Sequence, residues 1–213
     1  MTSNRPALPD AMRDHWWWRP GWAVGRSFYT WHITFDSDPG LRRLVDSYTP
    51  MLARLPMLDP VPVRWLHLTT QGVGFTDEVG RADVEAIVKA AQTRCARLTS
   101  FMATVGPPTV AAEAIPMVVR PVEHLVDLRS SIRNAIADIW GRDRVPEPAE
   151  GWCPHISLAY SNAAGPAQPI TDALTAYPQQ TAEITISAVS LIKLSRDRRM
   201  YEWDDVAAVR LGS

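Results

Sequence analysis

Two short stretches of this chain match each other, and together they restrict how it can fold. Residues 66–69 read Leu-His-Leu-Thr, and residues 154–158 read Pro-His-Ile-Ser-Leu. Successive side chains of a β-strand point to opposite faces, so a histidine and a hydroxyl residue two positions apart share one face. The residues that share the open face of these two predicted strands are His67, Thr69, His155 and Ser157. Two imidazoles and two hydroxyls that face one cleft would form a site for acid–base chemistry on a phosphate ester.

The pattern around these stretches occurs twice. In each half of the chain the apolar spacing predicts a strand, a helix, the strand that carries the histidine, a second helix and a further strand. The first strand lies at 28–35, and the pattern restarts at 115–119. The repeat predicts an α+β fold in which two pseudo-symmetric β-α-β-α-β lobes, with antiparallel sheets, form a central cleft. Two closing strands, at about 182–194 and 200–211, would form a hairpin.

Helical spacing supports four helices. Apolar stripes predict amphipathic helices over 41–52, 82–94 and 121–140, and a short helix over 171–176. Residues 71–80, which follow the first histidine strand, read as a loop because they contain Gly, Asp and Thr.

The first 26 residues differ from the rest of the chain. Four of the nine tryptophans fall here, at Trp16, Trp17, Trp18 and Trp22. We interpret residues 1–26 as a Trp-rich extension and residues 27–213 as a single two-lobed domain, with lobe one at about 27–110 and lobe two at about 111–213. The tryptophans would either cover an exposed sheet edge or stack on a nucleobase, and the spacing favours the first.

Composition restricts the partners. The formal net charge of −1 over 213 residues argues against tight binding of long DNA, which needs a basic excess, but allows a small phosphate-bearing ligand. Cys95 and Cys153 are far apart and lack metal-ligand spacing, so we expect two free thiols in a reducing compartment. The sequence has neither an apolar run of signal-peptide length nor one long enough to span a membrane. We therefore expect a soluble, cytoplasmic monomer.

A third His-x-Thr occurs at His32. Its strand is the first of its lobe, and the matching strand of the second lobe, 115–119, contains no histidine. Only His67 and His155 occupy equivalent positions, so we interpret His32 as a structural or supporting residue and the other two as the functional pair.

The two motifs in this context resemble the two-histidine phosphoesterases, the superfamily of 2′-5′ RNA ligases and cyclic nucleotide phosphodiesterases. The resemblance is carried by His67-Leu68-Thr69 and His155-Ile156-Ser157 and covers about residues 27–211. It implies hydrolysis of a cyclic phosphodiester, such as a 2′,3′-cyclic phosphate, or transfer at a 2′-5′ phosphodiester of a nucleotide or RNA end. It also implies chemistry without a metal or cofactor, and the spacing suggests no third metal ligand beside the two histidines.

This chemistry can also be understood from the residue types alone, independently of the family resemblance. An imidazole titrates near neutral pH, so one histidine can accept a proton while the other donates one, although the sequence leaves open which is base and which is acid. Thr69 and Ser157 can donate hydrogen bonds to the non-bridging phosphate oxygens. Trp152 and Tyr160 flank the second motif and are candidates for stacking on a substrate ring. Scattered cations that could reach a phosphate, but individually resemble solvated surface charges, are Arg19, Arg26, Arg64 and Lys193.

Three alternatives remain at this stage. The histidines could be satisfied core residues, which the pairing of two motifs disfavours because buried imidazoles cost desolvation. The protein could hold a nucleotide or an RNA end without turning it over. It could also cleave a non-nucleotide phosphoester, with the Trp-rich segment as a lid.

Overall fold

A computed structural model describes residues 8–35 and 38–212 as an α+β fold. The four helices of the described residues are α1 (Pro39–Leu52), α2 (Arg81–Cys95), α3 (Val122–Trp140) and α4 (Gln168–Ala176). The strands are β1 (Ala11–Met12), β2 (Phe28–Thr34), β3 (Leu58–Pro60), β4 (His67–Phe75), β5 (Phe101–Pro108), β6 (Ala114–Arg120), β7 (His155–Ser161), β8 (Gly165–Pro166), β9 (Ala182–Ile186), β10 (Ala188–Ser195) and β11 (Glu202–Arg210).

Two larger antiparallel sheets hold the two motif strands. The first has the strand order β11-β10-β2-β4 and the second has the order β3-β7-β6-β5-β9. The motif strands β4 and β7 belong to different sheets, and their backbones lie close to each other. The expected α+β architecture with antiparallel sheets is confirmed.

The sheets divide the chain differently from the predicted lobe boundary near residue 110. Strand β5, from the first half, pairs in the second sheet, and the closing hairpin β10–β11 pairs with β2 in the first sheet. The cause is a break at Ser187, where 182–194 was expected to be one strand. Before the break β9 pairs with β5, and after it β10 pairs with β2, so the chain passes from one sheet to the other.

The predicted helices form, and their apolar stripes are buried. In α1 the side chain of Asp38 accepts hydrogen bonds from the backbone N–H groups of Gly40 and Leu41, and Pro39 occupies the first turn. The expected break before this helix also included residues 36–37, which lie outside the described residues. Buried stripe residues of the three long helices include Leu41, Leu44, Val45, Tyr48, Leu52, Val84, Ile87, Ala91, Leu125, Leu128, Ile132 and Ile136.

Strand β4 is longer than predicted. Residues 71–75 continue the strand instead of forming a loop, because they pair with β2 as far as the contact between Phe28 and Phe75. Gln71 is fully buried, and its side-chain amide donates hydrogen bonds to the carbonyl oxygens of Gly72 and Pro146. A buried polar residue whose hydrogen bonds are satisfied in this way is compatible with the interior of a strand, so β4 continues past residue 70.

The N-terminal segment, defined as residues 8–26, packs on the domain. Strand β1 pairs with β8, and buried Trp16 donates from its indole N–H to Asp59 at 3.0 Å. Trp17 and Trp18 are exposed. The expected role of covering the fold therefore applies to Trp16, but it does not apply to Trp17 and Trp18.

Two smaller features complete the fold. Cys95 is buried and Cys153 exposed, and both are free thiols, as expected. Within residues 8–35 and 38–212, no helix combines the length and the apolar character that crossing a bilayer requires.

Candidate active site

A cleft of about 500 Å³ receives residues from both sheets and from the N-terminal segment. Its lining includes His32, His67 and Thr69 of the first sheet, and His155, Ser157 and Tyr160 of the second. The N-terminal segment adds His15, Arg19 and Trp22, and other loops add Glu113, Glu147 and Tyr201. The structure thus brings the four motif residues to one cleft.

His67 and His155 are held in the same way. The Nδ1–H of His67 donates to the carbonyl oxygen of Trp65 at 2.8 Å, and that of His155 donates to the carbonyl oxygen of Cys153 at 2.9 Å. Each acceptor lies two residues before its histidine. A carbonyl oxygen only accepts, so both Nδ1 atoms carry the proton and both Nε2 atoms are left for proton transfer. Among the described residues, neither Nε2 atom has a hydrogen-bond partner.

The two rings differ in burial. His67 is buried, whereas His155 is exposed. Burial, opposed by the bond to Trp65 and reinforced by the nearby His155, lowers the pKa of His67 from 6.5 to about 4. His67 is therefore neutral near pH 7, in the form that accepts a proton.

The two hydroxyl residues flank the histidines. Thr69 is exposed to the cleft, and its Oγ1 lies 3.2 Å from Nε2 of His32. Ser157 is buried at the cleft wall. Both hydroxyls can rotate to donate to an anion beside the histidines.

His32 packs directly against the first motif. Its ring lies parallel to that of His67, with 4.4 Å between centroids and 3° between planes. Burial, and then the proximity of His67, lowers the pKa of His32 well below its usual value. It also lines the cleft, so it can influence a ligand directly.

Of the two candidate stacking residues, Tyr160 lies at the cleft as expected and Trp152 does not. Trp152 does not line the cleft: it lies in a groove on α3, where its ring contacts the guanidinium of Arg129 at 5.1 Å and its indole N–H donates to the Thr69 carbonyl. Tyr160 lines the cleft, but it is buried and its ring is stacked on His15 at 4.3 Å. Its face is therefore already covered.

Another aromatic wall faces the cleft. Trp22 and Phe28 both line it, with 5.9 Å between their ring centroids. These rings, rather than Trp152, offer apolar surface beside the motifs.

Of the four scattered cations, Arg19 alone lines the cleft among the described residues. Its Nη2 donates to Glu113 at 2.8 Å. Arg26 pairs with Asp77 and Glu78, and Arg64 lies over the ring of Trp65 at 4.9 Å. Lys193 lines a separate groove.

Cleft residues that were not predicted include His15, Glu113, Glu147 and Tyr201. The Nε2 of His15 lies 3.0 Å from the Tyr201 hydroxyl, across 186 positions of sequence. Burial and the charges of Arg19 and Arg196 lower the pKa of His15 to about 3. Such a long-range contact leaves no local signal in the sequence.

Glu147 has a left-handed backbone, with φ of 60°. Its loop is held by two α3 arginines, since Arg129 donates to the carbonyls of residues 148 and 149 and Arg133 to those of 146 and 147. Because Arg129 also donates to the Thr70 carbonyl, the loop before the second motif is attached to the strand of the first motif.

Among residues 8–35 and 38–212, no three His, Cys, Asp or Glu side chains form a group that could hold a metal ion.

The two His-x-Thr/Ser histidines at matching positions, His67 in one antiparallel sheet and His155 in the other, line a shared cleft, and this arrangement is that of the two-histidine phosphoesterases. The family model of the 2′-5′ RNA ligase superfamily matches residues 37–198. This match spans well over half of the chain, which therefore belongs to that superfamily. No curated protein matches the sequence.

Solved structures share the fold. TT0787 of Thermus thermophilus is 20% identical with a TM-score of 0.66, and the match covers 88% of this chain and 99% of that one. E. coli LigT complexed with 3′-AMP is 17% identical with a TM-score of 0.63 and the same coverage, and LigT has also been solved with NADP+, phosphate and ATP. The MHV ns2 PDE domain is 11% identical, with a TM-score of 0.53 and coverage of 80% and 99%.

Proposed function

We propose that this protein is a metal-independent phosphodiesterase. Its substrate would be a 2′,3′-cyclic phosphate, or a 2′-5′ phosphodiester, of a nucleotide or an RNA end. The observation that carries the proposal is the matched pair of Nδ1–H bonds to the carbonyls of Trp65 and Cys153, which leaves Nε2 of both His67 and His155 free beside one cleft.

The burial of His67 favours it as the base. Nε2 of the neutral ring removes a proton from water, whose oxygen forms the new bond to phosphorus. The bond from phosphorus to one ribose oxygen breaks, and His155 in its protonated form donates a proton to that oxygen. The proton taken by His67 and the proton lost by His155 are restored through solvent, so the step balances. In ligation a ribose hydroxyl of the second strand would take the place of water: His67 would remove its proton as its oxygen bonds to phosphorus, and His155 would again protonate the ribose oxygen that leaves.

The hydroxyls of Thr69 and Ser157 donate to the non-bridging oxygens. Charge on these oxygens must be held while the bonds to phosphorus change, and fixed donors are worth most where solvent is partly excluded. His32 orients Thr69 through the 3.2 Å contact. The wall formed by Trp22 and Phe28 would receive a nucleobase.

Structural neighbours support a small phosphate-bearing substrate. LigT has been solved with 3′-AMP, ATP, NADP+ and phosphate, and the MHV ns2 domain is described as a PDE domain. Each of these ligands carries a phosphate group, which matches the donors assembled here.

The test is turnover of a panel of 2′,3′-cyclic nucleotides and 2′-5′-linked dinucleotides by the full chain. We expect product from the parent, and a loss of about 10²–10⁴-fold in each of His67→Ala and His155→Ala, since general acid–base catalysis contributes that much. His124→Ala is the matched control, because His124 is exposed and contacts Phe101 rather than the cleft.

Other outcomes identify the alternatives. Binding of nucleotides without product in the parent would indicate a nucleotide or RNA-end binding module. Hydrolysis of bis(p-nitrophenyl) phosphate with no turnover of any nucleotide would indicate a phosphoesterase for a different metabolite. Full activity in His67→Ala would contradict two-histidine catalysis.

A further inference from the structure

The N-terminal segment contributes to the cleft although it lies outside the family match. His15, Arg19 and Trp22 line the cleft, whereas the superfamily model begins at residue 37. Arg196 fixes the segment in place, because its Nη2 donates to the carbonyls of His15 and Trp17 at 3.0 and 3.1 Å. This wall of the cleft is therefore supplied by residues that the family model does not include.

Four arginines lie around this segment, with two carboxylates among them. The arginines are Arg13, Arg19, Arg196 and Arg199, and the carboxylates are Asp14 and Glu113. Of these six residues only Arg19 and Glu113 line the cleft, which is also lined by the charged residue Glu147. Burial, and to a smaller extent the charge of Arg19, lowers the pKa of Arg196. His15 is neutral near pH 7, because its pKa is about 3, and does not add to these charges.

Two of these guanidinium groups have unused donors. The Nε of Arg19 and the Nη1 of Arg196 are buried and have no hydrogen-bond partner among the described residues. A buried donor without a partner costs free energy, and an anion is the partner a guanidinium binds most strongly. Arg19 faces the cleft, so its guanidinium is the one a ligand can reach.

The end of the cleft beside the N-terminal segment lies next to the catalytic pair without coinciding with it. Tyr201 contacts residues of both regions: its ring centroid lies 5.8 Å from that of His67, and its hydroxyl lies 3.0 Å from Nε2 of His15 in the N-terminal segment. Because Arg19 and the two histidines line the same cleft, one ligand could reach all three, with a different group at Arg19 from the phosphate at His67.

We propose that Arg19 binds a second anionic group of the substrate. The preferred substrate class is then a phosphodiester that carries a further phosphate, such as a nucleoside 2′,3′-cyclic phosphate with a 5′-phosphate. This inference rests on the proposed function, because it takes the cleft at His67 and His155 as the place of cleavage. The planar guanidinium suits a phosphate, to which it can donate two parallel hydrogen bonds.

Binding of two stable ligands tests the proposal without requiring turnover. Calorimetry on the full chain would compare adenosine 3′,5′-bisphosphate with 3′-AMP, which lacks the second phosphate. We expect the bisphosphate to bind at least about tenfold more tightly, in line with a hydrogen bond between charged groups. Arg19→Met should reduce this ratio of Kd values to near one, and Arg19→Lys should retain part of it.

Arg13→Met is the matched control. Arg13 lies in the same segment and contacts the same carboxylate, with 3.5 Å to Glu113, but its side chain is 71% exposed and does not line the cleft. The ratio of the Kd values of the two ligands should be the same in this variant as in the parent. Glu113→Gln should raise the ratio, because it removes the carboxylate that competes for Arg19.

Equal affinity for the two ligands in the parent, or a ratio that Arg19→Met leaves unchanged, would overturn the proposal. Two further outcomes distinguish a failure of the second anion site from a failure of the proposed function. A parent that shows the Arg19-dependent ratio but cleaves no phosphodiester would keep the second anion site and lose the catalytic assignment. A parent that cleaves cyclic nucleotides with no preference for the 5′-phosphate would keep the catalytic assignment and lose the second anion site.

Discussion

The imidazole rings of His32 and His67 are stacked in parallel at 4.4 Å, with 3° between their planes. Protonation of either ring would place a positive charge against the other inside a buried pair, which is unfavourable. The stack and the burial thus act together to keep His67 neutral. His155 is exposed at the same cleft and has no such ring stacked on it among the described residues.

The pH dependence of catalysis should reflect the neutral state of His67. We expect kcat/KM to fall on the acid side with an apparent pKa of about 4, because the free enzyme loses its base as His67 protonates. The measurement is a kcat/KM profile with a cyclic nucleotide, with folding followed by circular dichroism in the same buffers. An acid limb near 6.5, the ordinary histidine value, would show that His67 is not the base.

Stability should fall on mild acidification. The pKa values of His15, His32 and His67 are all lowered in the folded state, so the unfolded chain binds more protons once the pH drops below about 6.5. Stability is therefore complete above that pH and is lost as the pH falls toward the folded-state pKa values, by about 1.4 kcal/mol per pH unit for each histidine.

His32→Phe tests this linkage. The Nδ1 of His32 is buried without a partner among the described residues, so a phenyl ring of similar shape should change the neutral-pH stability by less than about 1.5 kcal/mol. The slope of unfolding free energy against pH should decrease by about 1.4 kcal/mol per unit, measured by urea unfolding. A slope equal to that of the parent would contradict the assignment of a lowered pKa to His32.

Trp152 should act by positioning the first motif. Trp152→Phe keeps an aromatic ring beside Arg129 but removes the N–H that donates to the Thr69 carbonyl at 3.1 Å, so we expect a loss of about 1 kcal/mol in stability. If the bond positions Thr69, kcat should fall while KM changes little. Trp18→Phe, at an exposed site, is the control. An increase in KM alone would instead indicate direct contact with substrate.

Arg129 should be essential for folding. It is 4% exposed, and it donates to the carbonyls of Thr70, Pro148 and Ala149. Arg129→Met leaves the buried Thr70 carbonyl and two partly buried carbonyls without this donor, which should cost about 3 kcal/mol in urea unfolding. Arg81→Met, on a side chain 92% exposed, should change stability by no more than about 0.5 kcal/mol. Similar losses in both variants would show that the carbonyl contacts add little.

The sequence was informative where the signal is local. Alternation along a strand is enough to place His67 with Thr69 and His155 with Ser157, and the spacing of Leu125, Leu128 and Ile132 is enough to identify a buried helix face. The comparison of the two halves also predicts that His67 and His155 form the functional pair, whereas it gives no sign that His32 lines the same cleft. These inferences needed only the periodicity of neighbouring residues.

The sequence was less informative where distant segments meet. No local pattern marks the break at Ser187, because both sides of it read as apolar strand, yet it sends the closing hairpin to the other sheet. Nothing near Trp152 shows that its ring turns toward α3, or that His15 meets Tyr201. Such contacts depend on packing between elements, which a single sequence does not encode in its periodicity.

The closing hairpin β10–β11 comes last in the chain but completes the first sheet next to β2. This order determines when the cleft can assemble during synthesis. A ribosome that has made both histidine motifs has still not produced β10, with which β2 pairs, or Tyr201, which contacts His15. The nascent chain therefore contains both motif histidines before it has the strands and contacts that complete the cleft, and we expect the proposed activity to require translation of that hairpin.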